Sequence, residues 1–136
     1  MIVKQLAVFV DNKPGRLAKI TGMISEAGIN IRALSVADTT DFGILRLITE
    51  DPDRDAALLK EKKLTLSVTK VLSVCIDDIP GGLAAALAVI AQSGASVEYI
   101  YAFASSYTAG KAMAVICADD PEKAEQALKE AGFDMH

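Results

Sequence analysis

A seven-residue stretch that occurs twice constrains this chain more than any other feature. Asp11-Asn12-Lys13-Pro14-Gly15-Arg16-Leu17 returns sixty-six residues later as Asp77-Asp78-Ile79-Pro80-Gly81-Gly82-Leu83. Each copy follows a short apolar run and opens a helical pattern that ends at a glycine, Gly28 or Gly94. A repeated strand-to-helix turn means two copies of one module. The 136 residues therefore divide into an expected first domain at 1–69 and a second at 70–136. Modules this small bury little apolar surface alone, so they are expected to pack against each other or against a second chain.

The rest of the chain follows the same repeat. Residues 2–10 alternate in the manner of a strand, with Leu6, Val8 and Val10 on one face. Pro14 suits a first helical turn, and Leu17, Ile20, Met23, Ile24 and Ala27 form a helical stripe. Residues 29–37 and 43–49 read as a hairpin, Asp51-Pro52-Asp53 as an acidic helix start, and residues 64–69 as a fourth strand. Lys60, Lys62 and Lys63 give that second helix a basic end suited to its dipole. In the second copy Leu72, Val74 and Ile76 stand for Leu6, Val8 and Val10, residues 97–103 and 111–118 form the hairpin, and Asp120-Pro121 mirrors Asp51-Pro52. Phe133 and Met135 align with Leu64 and Leu66, so its last strand is expected to be short or absent. No Gly/Ser/Pro linker separates the copies, which predicts modules held in a fixed relation. The order βαββαβ, taken twice, predicts an α+β fold: two ferredoxin-like modules, each an antiparallel sheet with its helices on one face, packed against each other.

Catalytic constellations are missing. The single histidine is the terminal His136, so neither a His-based triad nor a multi-histidine metal site can form. The run Ser105 to Ala112 lacks the leading Gly and the closing Ser/Thr of a P-loop, and there is no GxGxxG. Cys75 and Cys117 lie in apolar runs without CxxC spacing and read as buried thiols of a reducing cytosol. With a net charge of −4 and scattered Lys and Arg, the chain offers no basic stripe for nucleic acid. It also contains neither a signal-peptide pattern nor an apolar run of membrane-spanning length. The expectation is a cytoplasmic, non-enzymatic protein without cofactor or metal, bound to neither nucleic acid nor membrane.

What remains is the repeated turn. A strand passing through Asp-x-x-Pro-Gly into a helix leaves N–H groups pointing outward at the positive end of the helix dipole, a receptor for a small carboxylate. Asp11 and Asp77 would accept from the ammonium end of a zwitterion. Asp, Asn, Pro and Gly are also what any sound turn contains, and it is the duplication with matched spacing that favours a site.

These residues carry a resemblance. Asp11 to Leu17, the helix to Gly28 and the following Ile29-Asn30-Ile31 resemble the ACT domain; Asp77 to Leu83 with Gly94-Ala95-Ser96-Val97 resemble it more loosely. Together they span nearly the whole chain, which is similar to a tandem ACT-domain protein lacking a catalytic domain. The resemblance implies a regulatory module that binds a free amino acid at the interface between ACT modules and passes the event to a regulated enzyme partner, as a homodimer. Carried over, the ligand-binding residues are Asp11, Asn12, Lys13, Pro14, Gly15, Arg16 and Leu17 with Asn30 and Ile31. In copy two they are Asp77, Asp78, Gly81, Gly82 and Leu83 with Ser96 and Val97. Gly82 stands where copy one has Arg16, and Ser96 where it has Asn30, which implies an altered second site. Asp11, Asp38, Asp41 and the Thr39-Thr40 pair lean toward a polar or basic ligand side chain over a branched aliphatic one. The rival reading is a purely structural association module whose turns bind nothing; a further one is an enzyme completed by another subunit.

Overall fold

The computed structural model describes residues 1–38, 42–104 and 109–135. The chain forms two compact units: residues 4–69, and residues 1–3 together with the chain from Lys70 onward. Both are α+β with the expected βαββαβ order and antiparallel pairing.

In the unit of residues 4–69, β1 (Ile2–Asp11), α1 (Arg16–Glu26), β2 (Ala33–Asp38), β3 (Phe42–Ile48) and α2 (Pro52–Glu61) precede the start of β4 (Leu66–Asp77). The strands run β2-β3-β1, with Val8 opposite Leu45 and Leu6 opposite Leu47. The Phe9 N–H donates to Thr65 O at 3.0 Å, which brings the entry to β4 beside β1. Alternation does the sorting: Leu6, Val8, Val10, Leu45 and Leu47 share a core with Ile20 and Ile24 of α1 and Ala56 and Leu59 of α2. Helix α2 starts as the sequence indicates, with the Asp51 side chain accepting from Arg54 N–H at 3.3 Å and Pro52 at its first position.

One strand begins later than the sequence suggests. β2 opens at Ala33, not at residue 29. Ile29 instead closes α1: its N–H donates to Ile24 O at 3.2 Å while Gly28 N–H donates to Ser25 O at 3.0 Å, with Gly28 at φ +74°. That is the glycine-centred helix stop whose next residue packs back on the helix, and Ile29 is buried accordingly.

In the other unit, the later part of β4 is followed by α3 (Gly82–Ser93), β5 (Val97–Ala104), β6 (Lys111–Ala118), α4 (Pro121–Glu130) and β7 (Asp134–Met135). Its core repeats the first: Leu72, Val74, Ile76, Ala114 and Ile116 against Ala86 and Ile90 of α3 and Ala124 and Leu128 of α4. Of the two expectations for the closing strand, short or absent, the structure has the short one, β7. Among the described residues β7 pairs Val74 and Cys75 of β4, and the next residue along, Ser73, donates its N–H to Met1 O at 2.8 Å. The first residues of the chain therefore extend the edge that β7 leaves short. Ile2 packs against this second core, and its N–H donates to Glu125 Oε2 at 2.7 Å.

Burial pushes the Glu125 carboxyl up, but the Ile2 N–H and the Lys129 ammonium together bring it below the ordinary glutamate value. A carboxyl lowered on folding stabilises the fold above its unfolded pKa, and that contribution fades as pH falls through the folded value. Glu125→Ala should cost about 1 kcal/mol at neutral pH, and the gap from the parent should close on acidification below the ordinary glutamate range. Urea unfolding across pH, with hydrogen exchange at the Ile2 amide, measures both.

Candidate functional site

The repeated stretch folds as a tight reversal between strand and helix. In the first copy Arg16 N–H donates to Lys13 O at 3.2 Å, and Gly15 lies at φ +77°, ψ −3°. In the second, Gly82 N–H donates to Ile79 O at 3.0 Å with Gly81 at φ +89°, ψ −10°. These are type II turns with Pro at the second position and Gly at the third, where a left-handed residue is required. Pro14 thus stands at the turn corner rather than in the first helical turn, which begins at Arg16. Its fixed φ is spent on the turn.

The helices that follow differ from the other two. No side chain caps α1 or α3, and neither carries an acid in its first turn. By contrast α2 and α4 are capped by Asp51 and Asp120 and carry Asp53, Asp55 and Glu122. The positive ends of α1 and α3 are left without local neutralisation. A Cβ at Gly15 or Gly81 would have nothing within 4 Å, so there is open space above both turns.

Beside the first turn, Arg16 Nη2 lies 3.5 Å from Asp11 Oδ2. Both line a cavity of about 310 Å³ with Phe9, Lys19, Ile20, Met23, Lys62, Lys63, Leu64 and Thr65. Asn12, Lys13, Pro14, Gly15 and Leu17 build the exposed turn. Asn30 and Ile31 are outside the lining of this cavity: they lie in the loop ahead of β2, Asn30 exposed and Ile31 half-buried against the core. Of the residues suggesting a polar or basic ligand, Thr39, Thr40 and Asp41 lie outside the described residues. The first four residues of the P-loop-like run from Ser105 to Ala112, and His136, are outside them as well.

The second turn has a counterpart cavity of about 200 Å³, lined by Cys75, Asp77, Lys111, Ala131, Gly132, Phe133 and Asp134. Here Asp77 is ion-paired with Lys111, whose ammonium is held above its usual value by that hydrogen bond and charge. Asp78 donates its N–H to Gly110 O at 2.9 Å. Leu83 is exposed on α3. Gly82 is buried, and a Cβ there would run into Asp77 O. The exchange of Arg16 for Gly82 therefore reflects a close backbone approach as well as a lost cation. Ser96 exchanges main-chain bonds with Asp119, accepting from its N–H at 3.0 Å and donating to its Oδ1 at 2.8 Å, and Val97 opens β5 opposite Ala118. These two serve the hairpin and lie outside the second cavity.

Lys62 and Lys63, at the end of α2 as the sequence indicates, also line this cavity, which sequence reasoning did not foresee. Lys60 does occupy the last turn of α2. Lys63, however, is the one non-glycine residue at positive φ among the described residues, at +64°. Its counterpart in the repeat is Gly132, at +87°. Both end a helix in the same way: Lys63 N–H donates to Lys60 O and Leu64 N–H to Leu59 O, matched by Gly132 to Lys129 and Phe133 to Leu128. A lysine there costs about 1 kcal/mol relative to glycine's freedom. The comparison of Lys63 with Gly132 was the available signal. Among the described residues, no group of His, Cys, Asp and Glu gathers as for a metal ion, and no helix is long and apolar enough to cross a membrane.

Comparison with known proteins fits this geometry. A family described as an ACT domain pair matches residues 1–135. A Bacteroides thetaiotaomicron protein of solved crystal structure is 36% identical, with a TM-score of 0.92 over 100% of this chain and 92% of that one. The ligand-free regulatory subunit of aspartate kinase from Thermus thermophilus shares the fold at 16% identity, with a TM-score of 0.65 over 97% of each chain. A probable acetolactate synthase small subunit from Archaeoglobus fulgidus is 37% identical over 51 residues, 36% of this chain and 32% of that protein. The matched part thus spans about a third or less of the curated relatives.

Gly82→Ala should destabilise the protein by about 3 kcal/mol, because the new methyl meets main chain rather than a movable side chain. Gly22→Ala, in α1 with open space around it, should stabilise by about 0.5–1 kcal/mol. Urea midpoints of the two variants provide the comparison.

Proposed function

The chain belongs to the ACT domain pair family, and on that premise we propose that it senses a free amino acid at the first strand–helix turn and passes the event to a partner enzyme. The family's domains are regulatory rather than catalytic, and the chain is a regulatory module. The observation that carries the ligand reading is the uncapped start of α1 beside Asp11. Free N–H groups at a positive helix end suit an α-carboxylate, and an exposed Asp carboxylate suits the α-ammonium. The second turn is the weaker candidate: Asp77 is already engaged by Lys111 and Gly82 has no side chain to offer. The likeness to a regulatory subunit of aspartate kinase and to a probable acetolactate synthase small subunit supports a partner enzyme of amino-acid metabolism.

Isothermal titration with the twenty amino acids is expected to give saturable heat for one or a few of them, lost in Gly15→Val. The reading fails if none gives heat or thermal stabilisation. Binding would then act by differential affinity for two arrangements of the protein, which is what a partner can read.

Association without a ligand is favoured by a separate observation. Among the described residues β2 pairs with β3 alone and leaves Leu34 and Val36 half exposed, at 50% and 46%. An apolar edge strand of this kind is a natural place for a second copy to pair. Light scattering should report a homodimer that Leu34→Glu converts to monomer; an unchanged mass in the variant rules out this edge.

A further inference from the structure

The cavity beside the first turn has a charge that the amino-acid reading does not use. Arg16, Lys19, Lys62 and Lys63 line it against the single acid Asp11, in a chain whose net charge is −4. Arg16 and Asp11 satisfy one another at 3.5 Å. The three lysines have no carboxylate partner among the described residues. Their convergence on one concavity is self-repelling unless an anion sits among them.

Two features separate this from a chance cluster on a surface. The repeat supplies an internal comparison: at the same place in the second unit the cavity holds Ala131 and Gly132, and its single cation, Lys111, faces Asp77 and Asp134. The positive excess therefore belongs to one copy and not to the fold. Lys63 also occupies a left-handed position that the other copy fills with glycine. A strained non-glycine residue at a concave site is the kind of outlier that points to function, and here the strained residue is one of the cations.

We propose that the cavity between β1, α1 and the α2–β4 turn binds a small dianion, a dicarboxylate or a phosphate compound. Its volume of about 310 Å³ lies at the small end of ligand sites. Phe9, Ile20, Met23 and Leu64 add apolar lining to the same cavity. Lys62 and Lys63 lie outside the turn motif, and the site needs no ammonium on its ligand. It stands independently of the amino-acid reading: either can fail without the other.

Titration of the full chain with sodium phosphate and with sodium succinate, against sodium chloride at matched ionic strength, tests it. The expected result is saturable heat and a raised thermal midpoint with phosphate or succinate, the two arms telling phosphate from dicarboxylate chemistry. Lys62→Gln and Lys63→Gly should each weaken that binding about tenfold, Lys63→Gly without lowering the midpoint of the unliganded protein. Lys60→Gln, which removes a nearby charge outside the cavity, should change affinity by less than about twofold. No saturable signal beyond chloride overturns the proposal, as does a signal that Lys62→Gln and Lys63→Gly leave unchanged.

Discussion

The Pro-Gly turn is the constraint on which the rest of the structure depends. A strand that must hand its chain to a helix lying on its own sheet has to reverse within a few residues. A type II turn does so only with a residue that tolerates positive φ at its third position. Gly15 and Gly81 supply that conformation, and the helices they launch bring Ile20 and Ile24, or Ala86 and Ile90, over the buried faces of β1 and β4. The same turn leaves the helix start without a capping side chain. Architecture and binding potential thus come from one local geometry: the residues that make the turn good are also those that leave N–H groups unclaimed.

Two copies of a turn need not remain two copies of a site. In the first, Arg16 reaches back to Asp11 and the α2–β4 turn adds lysines. In the second, the backbone passes so close to Asp77 that only glycine fits at residue 82, and Lys111 takes the acid. Ser96 is held by hydrogen bonds of its main chain with Asp119, whereas Asn30 lies exposed in the loop ahead of β2. The fold was kept in both copies because the aliphatic seam is insensitive to these surface exchanges. The chemistry diverged because it depends on single side chains.

Much of this was legible in the sequence, and the parts that were have a common character. Alternation in residues 2–10, the Asp51-Pro52 and Asp120-Pro121 helix starts and the helix-ending glycines are all set by interactions within a few residues. The late start of β2 was missed because Ile29 satisfies two local patterns, strand and helix stop, and burial chose the second. The role of Lys62 and Lys63 was missed because a basic run at a helix end already has a sufficient local explanation in the dipole.

The sequence by itself determined the duplication, the order of elements and the buried side of β1 and of its counterpart in the repeat, since these follow from backbone preferences and the period of apolar residues. Only the tertiary structure decided that Met1 to Val3 complete the second unit, that Gly82 is a steric necessity, and that Arg16, Lys19, Lys62 and Lys63 share one cavity. The physical reason is distance along the chain. Met1 meets Ser73, Ile2 meets Glu125, and Arg16 and Lys63 line one concavity; such meetings are settled by how whole elements pack, which no local pattern encodes.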